Sequence, residues 1–428
     1  MKRIIATLTA IVTVITTTIA PSDQTAYAQT PEATYEQSEQ LAQMPAIIDE
    51  QLTKMPATAD EQRLQESKQG DQAGQPDKTK RMAVTALSEN MMRLEADYES
   101  ALETMSLMGT IVEIIGEEGY WRQVVTPEPY TAWCTNLGLV EMTPEQINEY
   151  KAAPKYICIA QHSGVYAAPS LNSRRLSDLS MGNLLRVVYT DGSVGAKELD
   201  NQTAKAIGSK ATAKTGGKPA KVKISKKGKF LEVMLPDGRK GWTPAADLAG
   251  FAKWAEKQKI TAENIVNTAM QFEGTPYLWG GASSKGLDCS GLVRLTFFMN
   301  GHLLPRNASQ QVKNGREIIM ECDHSITPDS DKLYQEMQKR VKNLQPGDLV
   351  FFGSPETLMK KERITHVGIY IGGGKIIHAS HKIRINSLIP GQKDYYENSH
   401  RLLKARRYIN WQGPGMTPVI QSPAYFLW

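Results

Sequence analysis

Between Thr365 and Ala379, two apolar runs of β character flank three consecutive glycines, Gly372-Gly373-Gly374. Thr365-His366-Val367-Gly368-Ile369-Tyr370-Ile371 reads as one strand and Lys375-Ile376-Ile377-His378-Ala379 as its return, which predicts an antiparallel hairpin. A three-residue turn pairs Ile371 with Lys375. That register sets Gly368 opposite His378 and makes His366 the diagonal neighbour of His378 on the same face. A two-residue turn would send the histidines to opposite faces. The hairpin therefore presents two imidazoles together, one fit to act as a base and the other to orient it.

A nucleophile for that base lies upstream. In Gly286-Leu287-Asp288-Cys289-Ser290-Gly291-Leu292-Val293 a loop runs into an apolar helix that continues through Leu295, Phe297, Phe298 and Met299 and stops at Asn300-Gly301. Unpaired N–H groups at a helix start favour negative charge, so Cys289 is expected to ionise more readily than a core cysteine.

The chain has 428 residues, too many for one ordinary domain, and its net charge of +5 is too small to argue for nucleic acid. Met1-Lys2-Arg3, the apolar stretch Ile4 to Ala20 and the small-x-small site Ala26-Tyr27-Ala28 predict a secretory signal over residues 1–28. An exported protein, periplasmic or secreted, is therefore expected, without an integral membrane segment once the signal is removed. Residues 29–80 are polar and poor in large apolar side chains, a linker or marginal helix. Residues 81–153 and 154–250 carry short β runs with turn signals, as small all-β barrels do. Tyr130-Thr131-Ala132-Trp133 in the first and Gly241-Trp242 in the second occupy comparable places, the mark of a diverged tandem pair. Residues 252–412 open with a helix capped by Thr261 and alternate helices with strands, an α+β unit, and 413–428 read as a C-terminal tail.

Lysines 205, 210, 214, 218, 221, 223, 226, 227 and 229 crowd one stretch, read as a solvated loop or as an electrostatic contact to an anionic polymer. The residues between Val312 and Leu344 include a helical pattern from Asp331 to Val341 and read as a surface insertion or a border of the cleft. The four cysteines, 134, 158, 289 and 322, are too scattered for a zinc module. Cys134 with Cys158 is the one disulfide to consider, beside the alternative that both are buried and reduced.

Several strings in the C-terminal unit carry a family resemblance. They are Gly274-Thr275-Pro276-Tyr277-Leu278-Trp279-Gly280-Gly281, Asp288-Cys289-Ser290-Gly291, Leu304-Pro305-Arg306, Pro346-Gly347-Asp348-Leu349-Val350-Phe351-Phe352, Thr365-His366-Val367-Gly368 and Ile377-His378-Ala379. In order and spacing they resemble the NlpC/p60 family of cell-wall cysteine peptidases, and the two β units resemble bacterial SH3-like domains. The whole arrangement is similar to the family's γ-D-glutamyl-L-diamino-acid endopeptidases. The fold implied is multidomain, two SH3-like barrels followed by an α+β, papain-like catalytic domain.

The resemblance implies Cys289 as nucleophile, His366 as general base and His378 as the group that orients it, with Tyr277 and the backbone N–H of Cys289 supporting the oxyanion. It implies substrate contacts at Glu103, Tyr130, Asp288, Ser290, Asn307 and Ala308. Glu103 and Tyr130 would bind the free amine of a stem peptide's L-Ala, a carboxylate suiting an ammonium; a solvated surface charge is the other reading of Glu103. Asn307 stands where the subgroup usually has an aspartate, which weakens the charge offered to that amine. No metal or cofactor is called for, and peptidoglycan stem peptides or muropeptides are the expected partners of what is expected to be a monomer. An amidase or acyl transferase using the same thioester, and a noncatalytic wall-binding protein, are the alternatives.

Overall fold

The computed structural model describes residues 80–191 and 221–427. The signal segment, all but the last residue of the 29–80 stretch, and lysines 205, 210, 214 and 218 lie outside the described residues. Among the described residues no helix is long and apolar enough to cross a membrane.

The first two β units share one plan. Seven strands run from Arg81–Thr85 to Leu139–Met142, and seven more from Lys155–Cys158 to Leu248–Gly250. Numbered along the chain within each unit, both sheets have the order third, second, sixth, fifth, fourth, first, seventh. The repeat expected from sequence is thus a repeat of topology, with Trp133 and Trp242 both on sixth strands, Thr131–Thr135 and Lys240–Pro244. Alternation makes the strands: in Thr131–Thr135, Ala132 and Cys134 point into the core and their neighbours out. Cys134 and Cys158 are buried free thiols in separate sheets, so the reduced alternative is the one observed. The helix Pro144–Ala152, between the two sheets, was not foreseen; Thr143 and Gln146 close a capping box at its start.

The two sheets meet at close range. Leu184 N donates to Met108 O at 2.9 Å. Gly109 beside it has φ +86°, and a Cβ there would lie 2.5 Å from the Leu184 Cβ, so both the backbone and the packing require glycine.

The C-terminal region is built on a six-stranded antiparallel sheet in the order Arg316–Glu317, Leu402–Arg407, Leu349–Ser354, Arg363–Gly372, Lys375–Ser380, Lys382–Ser387. Leu349, Phe351, Val367, Ile369 and Ile377 pack against Leu292, Val293 and Leu295 of the Cys289–Met299 helix. Val350, Phe352, Tyr370 and Ile376 belong to a second core with Leu333 and Met337. The Leu333–Val341 helix is therefore a structural layer and not a surface decoration. Its Arg340, fully buried, pairs with Glu336 and donates to the carbonyls of His400 and Leu402.

The hairpin is tighter than the triglycine implied. Gly372 pairs with Lys375 and Tyr370 with Ile376, so the turn is Gly373-Gly374 and Ile371 is extruded as a bulge. Gly373 and Gly374 have positive φ, at 61° and 74°, as a two-residue hairpin turn of type I′ requires. The bulge takes up the residue that the shorter turn releases. Gly368 therefore still faces His378.

The 413–428 tail is not free. Thr417–Pro418 pairs with His302–Leu303, Val419 and Tyr425 are buried, and the Phe426 ring stacks on Phe251 at 5.0 Å. Apolar residues concentrated at its end give it a place in the core that its polar start conceals.

All of these parts meet around the Cys289–Met299 helix, in which every residue except Arg294 is buried. Arg294 itself pairs with Glu128 from the first β unit. Lys285, just before the helix, bridges Glu89 of the first β unit, with Nζ–Oε2 at 2.7 Å, and Asp178 of the second.

Candidate active site

Cys289 is the first residue of its helix, as read from sequence, but its surroundings differ from the expectation. Asp288 is the N-cap, and its carboxylate accepts from Gly291 N at 2.6 Å and from Gly280 N at 3.1 Å. The positive end of the helix is already matched by that carboxylate. Burial, followed by the charge of Asp288, pushes the Cys289 thiol up to about 12, against the opposing pull of the backbone amides of Val367 and Ser290 and of the Arg306 cation. The resting residue is a neutral thiol.

Asp288 is held by Arg306, which is 1% exposed. The guanidinium donates to both Asp288 oxygens, at 2.5 and 3.1 Å, to Ser290 Oγ at 2.8 Å and to Thr104 Oγ1 of the first β unit at 2.8 Å. This fork geometry suits a planar carboxylate and leaves few donors unused. The side chains of Asp288 and Ser290 are thus engaged inside the protein, fixing the turn that carries Cys289.

Tyr277 reaches the site along a short extended segment. Tyr277 N donates to His381 O at 2.9 Å and Ile383 N to Thr275 O at 2.8 Å, which lays residues 274–277 along the outermost strand of the sheet. Burial, then the proximity of Cys289 and Asp288, raises its hydroxyl pKa, so it is a proton donor at all ordinary pH.

The two histidines meet as the hairpin parity requires. His366 Nε2 lies 2.8 Å from His378 Nδ1, and their rings are close to perpendicular. His378 is fully buried, with Tyr396 against its ring at 4.7 Å. Burial pushes His378 down to about 4, with a smaller push from Arg384 that the Asn386 hydrogen bond opposes. Burial, then the neighbouring His378, Arg401 and Arg384, holds His366 well below the usual imidazole range. Both rings are neutral near pH 7. The Val367 amide beside the Cys289 sulfur belongs to the residue after His366, so the strand that carries His366 passes next to the thiol.

Three residues expected to meet substrate converge next to this centre. The Tyr130 hydroxyl donates to Glu103 Oε2 and receives a hydrogen bond from the Asn307 side chain. Glu103 is half-buried and paired, which removes the reading of a merely solvated charge. Consecutive residues of one strand divide the work: the Leu102 carbonyl abuts Gly280, Glu103 faces Tyr130, and Thr104 holds Arg306. At Gly280, φ is +72° and a Cβ would lie 2.4 Å from Leu102 O, so the close approach of the first β unit depends on that glycine. Ala308 is buried at the start of the short Ala308–Gln311 helix and contributes packing.

Two positions that contact the candidate site residues escaped the sequence reading. Arg306 stood in a recognised string but without a partner, because Thr104 is 202 residues away. Asn386 accepts from His378 Nε2 at 2.9 Å, and the period-two rule applied to the next strand would have found it.

A family model described as NlpC/P60 family matches residues 274–403. A gamma-D-glutamyl-L-lysine dipeptidyl-peptidase of Bacillus subtilis (strain 168) is 38% identical over 123 residues, 29% of this chain and 33% of that protein. The protein of the same name from Bacillus cereus (strain ATCC 10987 / NRS 248) is 25% identical over 317 residues, 72% of this chain and 75% of its own. The chain thus spans about a third of the first relative and three quarters of the second. A crystal structure of a Bacillus cereus NlpC/P60 family protein superposes with a TM-score of 0.54 at 20% identity, covering 77% of this chain and 99% of that one. That likeness extends the shared fold over both β units as well as the C-terminal region.

Proposed function

With residues 274–403 identified as an NlpC/P60 domain, we infer that the chain is a cysteine peptidase that hydrolyses the γ-D-glutamyl to L-diamino-acid bond of cell-wall stem peptides. The observation that carries the reading is the hydrogen-bonded pair of His366 and His378, 2.8 Å apart, on a strand that passes beside Cys289 at the start of its helix. Cys289 Sγ attacks the scissile carbonyl as its proton passes to His366. The tetrahedral oxyanion takes hydrogen bonds from the Cys289 N–H and the Tyr277 hydroxyl. Collapse forms a thioester on Cys289, and His366 returns the proton to the departing amine of the diamino acid. Water, deprotonated by the same imidazole, then releases the D-glutamyl acid and restores the thiol.

Glu103, Tyr130 and Asn307 form the wall that meets the far end of the acyl half. A carboxylate and a phenol together suit an ammonium, and supply the preference for an unblocked L-Ala. The two β units read as SH3-like domains, one of which completes the cleft. An exported location, and muropeptides as substrates, follow from this reading.

The test is incubation of the tripeptide L-Ala-γ-D-Glu-diamino acid with the protein and with Cys289→Ala, followed by mass spectrometry. The expected products are L-Ala-D-Glu and the free diamino acid, from the unmodified protein alone. Equal turnover by both would overturn the mechanism, and cleavage elsewhere would overturn the bond. Asn307→Asp is expected to raise kcat/KM several-fold for this free-amine peptide and not for its N-acetylated form, since a charged acceptor strengthens the hydrogen bond to an ammonium. An unchanged ratio between the two substrates would remove Asn307 from amine recognition.

A further inference from the structure

The geometry points to Asn386 as the residue that sets the protonation sites of both histidines and so makes His366 a base toward Cys289. The argument starts at a backbone carbonyl, which can only accept. Asn386 Nδ2 lies 2.8 Å from Asp394 O, so this end of the side chain is the amide NH2. The other end, Oδ1, therefore faces His378 Nε2 at 2.9 Å, and His378 must carry its proton on Nε2. His378 is neutral in its buried position and has one ring proton, so its Nδ1 is a bare lone pair. That lone pair lies 2.8 Å from His366 Nε2, which must then be the donor. His366 is likewise neutral, and its single proton is placed on Nε2. The remaining nitrogen, Nδ1, is left unprotonated, free to take the thiol proton in the base role proposed above.

The anchor is itself fixed. The Asp394 carbonyl also accepts from Ser387 N at 2.8 Å, and the Asp394 carboxylate pairs with Lys375 at 3.1 Å. Asn386 pairs with Ile376 across the sheet and Arg384 with His378, so Asn386 shares the face of His378 by the alternation of the strand.

The consequence for the reaction balances simply. The Cys289 S–H bond breaks as sulfur bonds to the substrate carbonyl carbon, and the proton moves to His366 Nδ1. The imidazolium keeps its Nε2–H on His378 Nδ1, while His378 stays neutral with its own proton on Asn386. Without Asn386 the His378 ring is free to carry its proton on Nδ1. That proton would face His366 Nε2 and drive the His366 proton to Nδ1, where it blocks the thiol. Asn386 is accordingly a positioning residue, acting on the sulfur through two rings.

This inference rests on the base role given to His366 above, and its decisive readouts need no substrate. Nitrogen-15 NMR of histidine-labelled full-length protein near neutral pH is expected to show His366 and His378 both protonated at Nε2. Asn386→Ala is expected to lose that pattern, to slow iodoacetamide alkylation of Cys289, and to lower kcat on the tripeptide about 10- to 100-fold with little change in KM, the scale known for the hydrogen-bond partners of metal-bound histidines. Asn386→Asp, which keeps an acceptor on His378 Nε2, is expected to retain the Nε2 pattern. A His378 protonated at Nδ1 in the unmodified protein would overturn the assignment even if the alanine variant fails to fold. Unmodified alkylation and NMR patterns in a folded Asn386→Ala would overturn it too. If the tripeptide is not cleaved at all, the proposed substrate fails, and the NMR result still decides this point.

Discussion

Arg306→Ala is expected to destabilise the protein by about 3–5 kcal/mol, the loss that follows when one member of a buried ion pair is removed and the other charge stays behind. The partner left behind is Asp288, 8% exposed and placed at the N-cap of the helix that carries Cys289. Two further hydrogen bonds vanish with it, to Ser290 Oγ and to Thr104 Oγ1, and the second joins the first β unit to the catalytic region. Urea unfolding monitored by tryptophan fluorescence measures the effect. Arg306→Lys is expected to recover only part of the loss, because an ammonium cannot reproduce the forked contact with both Asp288 oxygens. A drop of less than about 1 kcal/mol for the alanine variant would mean that Asp288 finds water or another cation, and that the buried network is not what fixes the nucleophile's turn.

His366→Ala is expected to lower kcat by about 10²- to 10⁴-fold, the range for losing a positioned general base. The upper part of that range applies here. With the Cys289 thiol pushed up to about 12, very little of it is ionised near pH 7, so the sulfur has no independent supply of thiolate. The same variant is expected to alkylate slowly at pH 7 and to gain reactivity as the pH is raised, whereas the unmodified protein gains less because its base is built in. Circular dichroism and the melting temperature should stay close to those of the unmodified protein, which separates loss of a base from loss of the fold. Near-normal alkylation of His366→Ala at pH 7 would show that another group takes the thiol proton.

What could be read from the sequence followed the range of each interaction. The hairpin depended on residues within about a dozen positions, and period-two alternation carried the face of His366 and His378 correctly despite a wrong turn length, because the Ile371 bulge restored the register. The helix limits at Cys289 and Asn300 were equally local. The sequence reading treated the helix start at Cys289 as empty, when the adjacent Asp288 already occupies it and adds negative charge beside the sulfur. Arg306 could not be given a role, because Asp288 lies 18 residues away and Thr104 lies in a different β unit. The pairing of the 413–428 tail was not legible, because its partner, His302–Leu303, has no pattern that announces a missing strand.

The bridge from Lys285 to Glu89 and Asp178 binds the three β-rich regions at a single ammonium, three residues before the helix N-cap. Proteins assembled from wall-binding modules on flexible tethers can trade those modules by recombination and keep their chemistry. Here such an exchange would discard the carboxylates that hold Lys285, the Thr104 that holds Arg306 and the strand that carries Glu103, all in one stroke. The first β unit and the turn that carries Cys289 are thus held as one packed unit, and replacing the first β unit would disturb both.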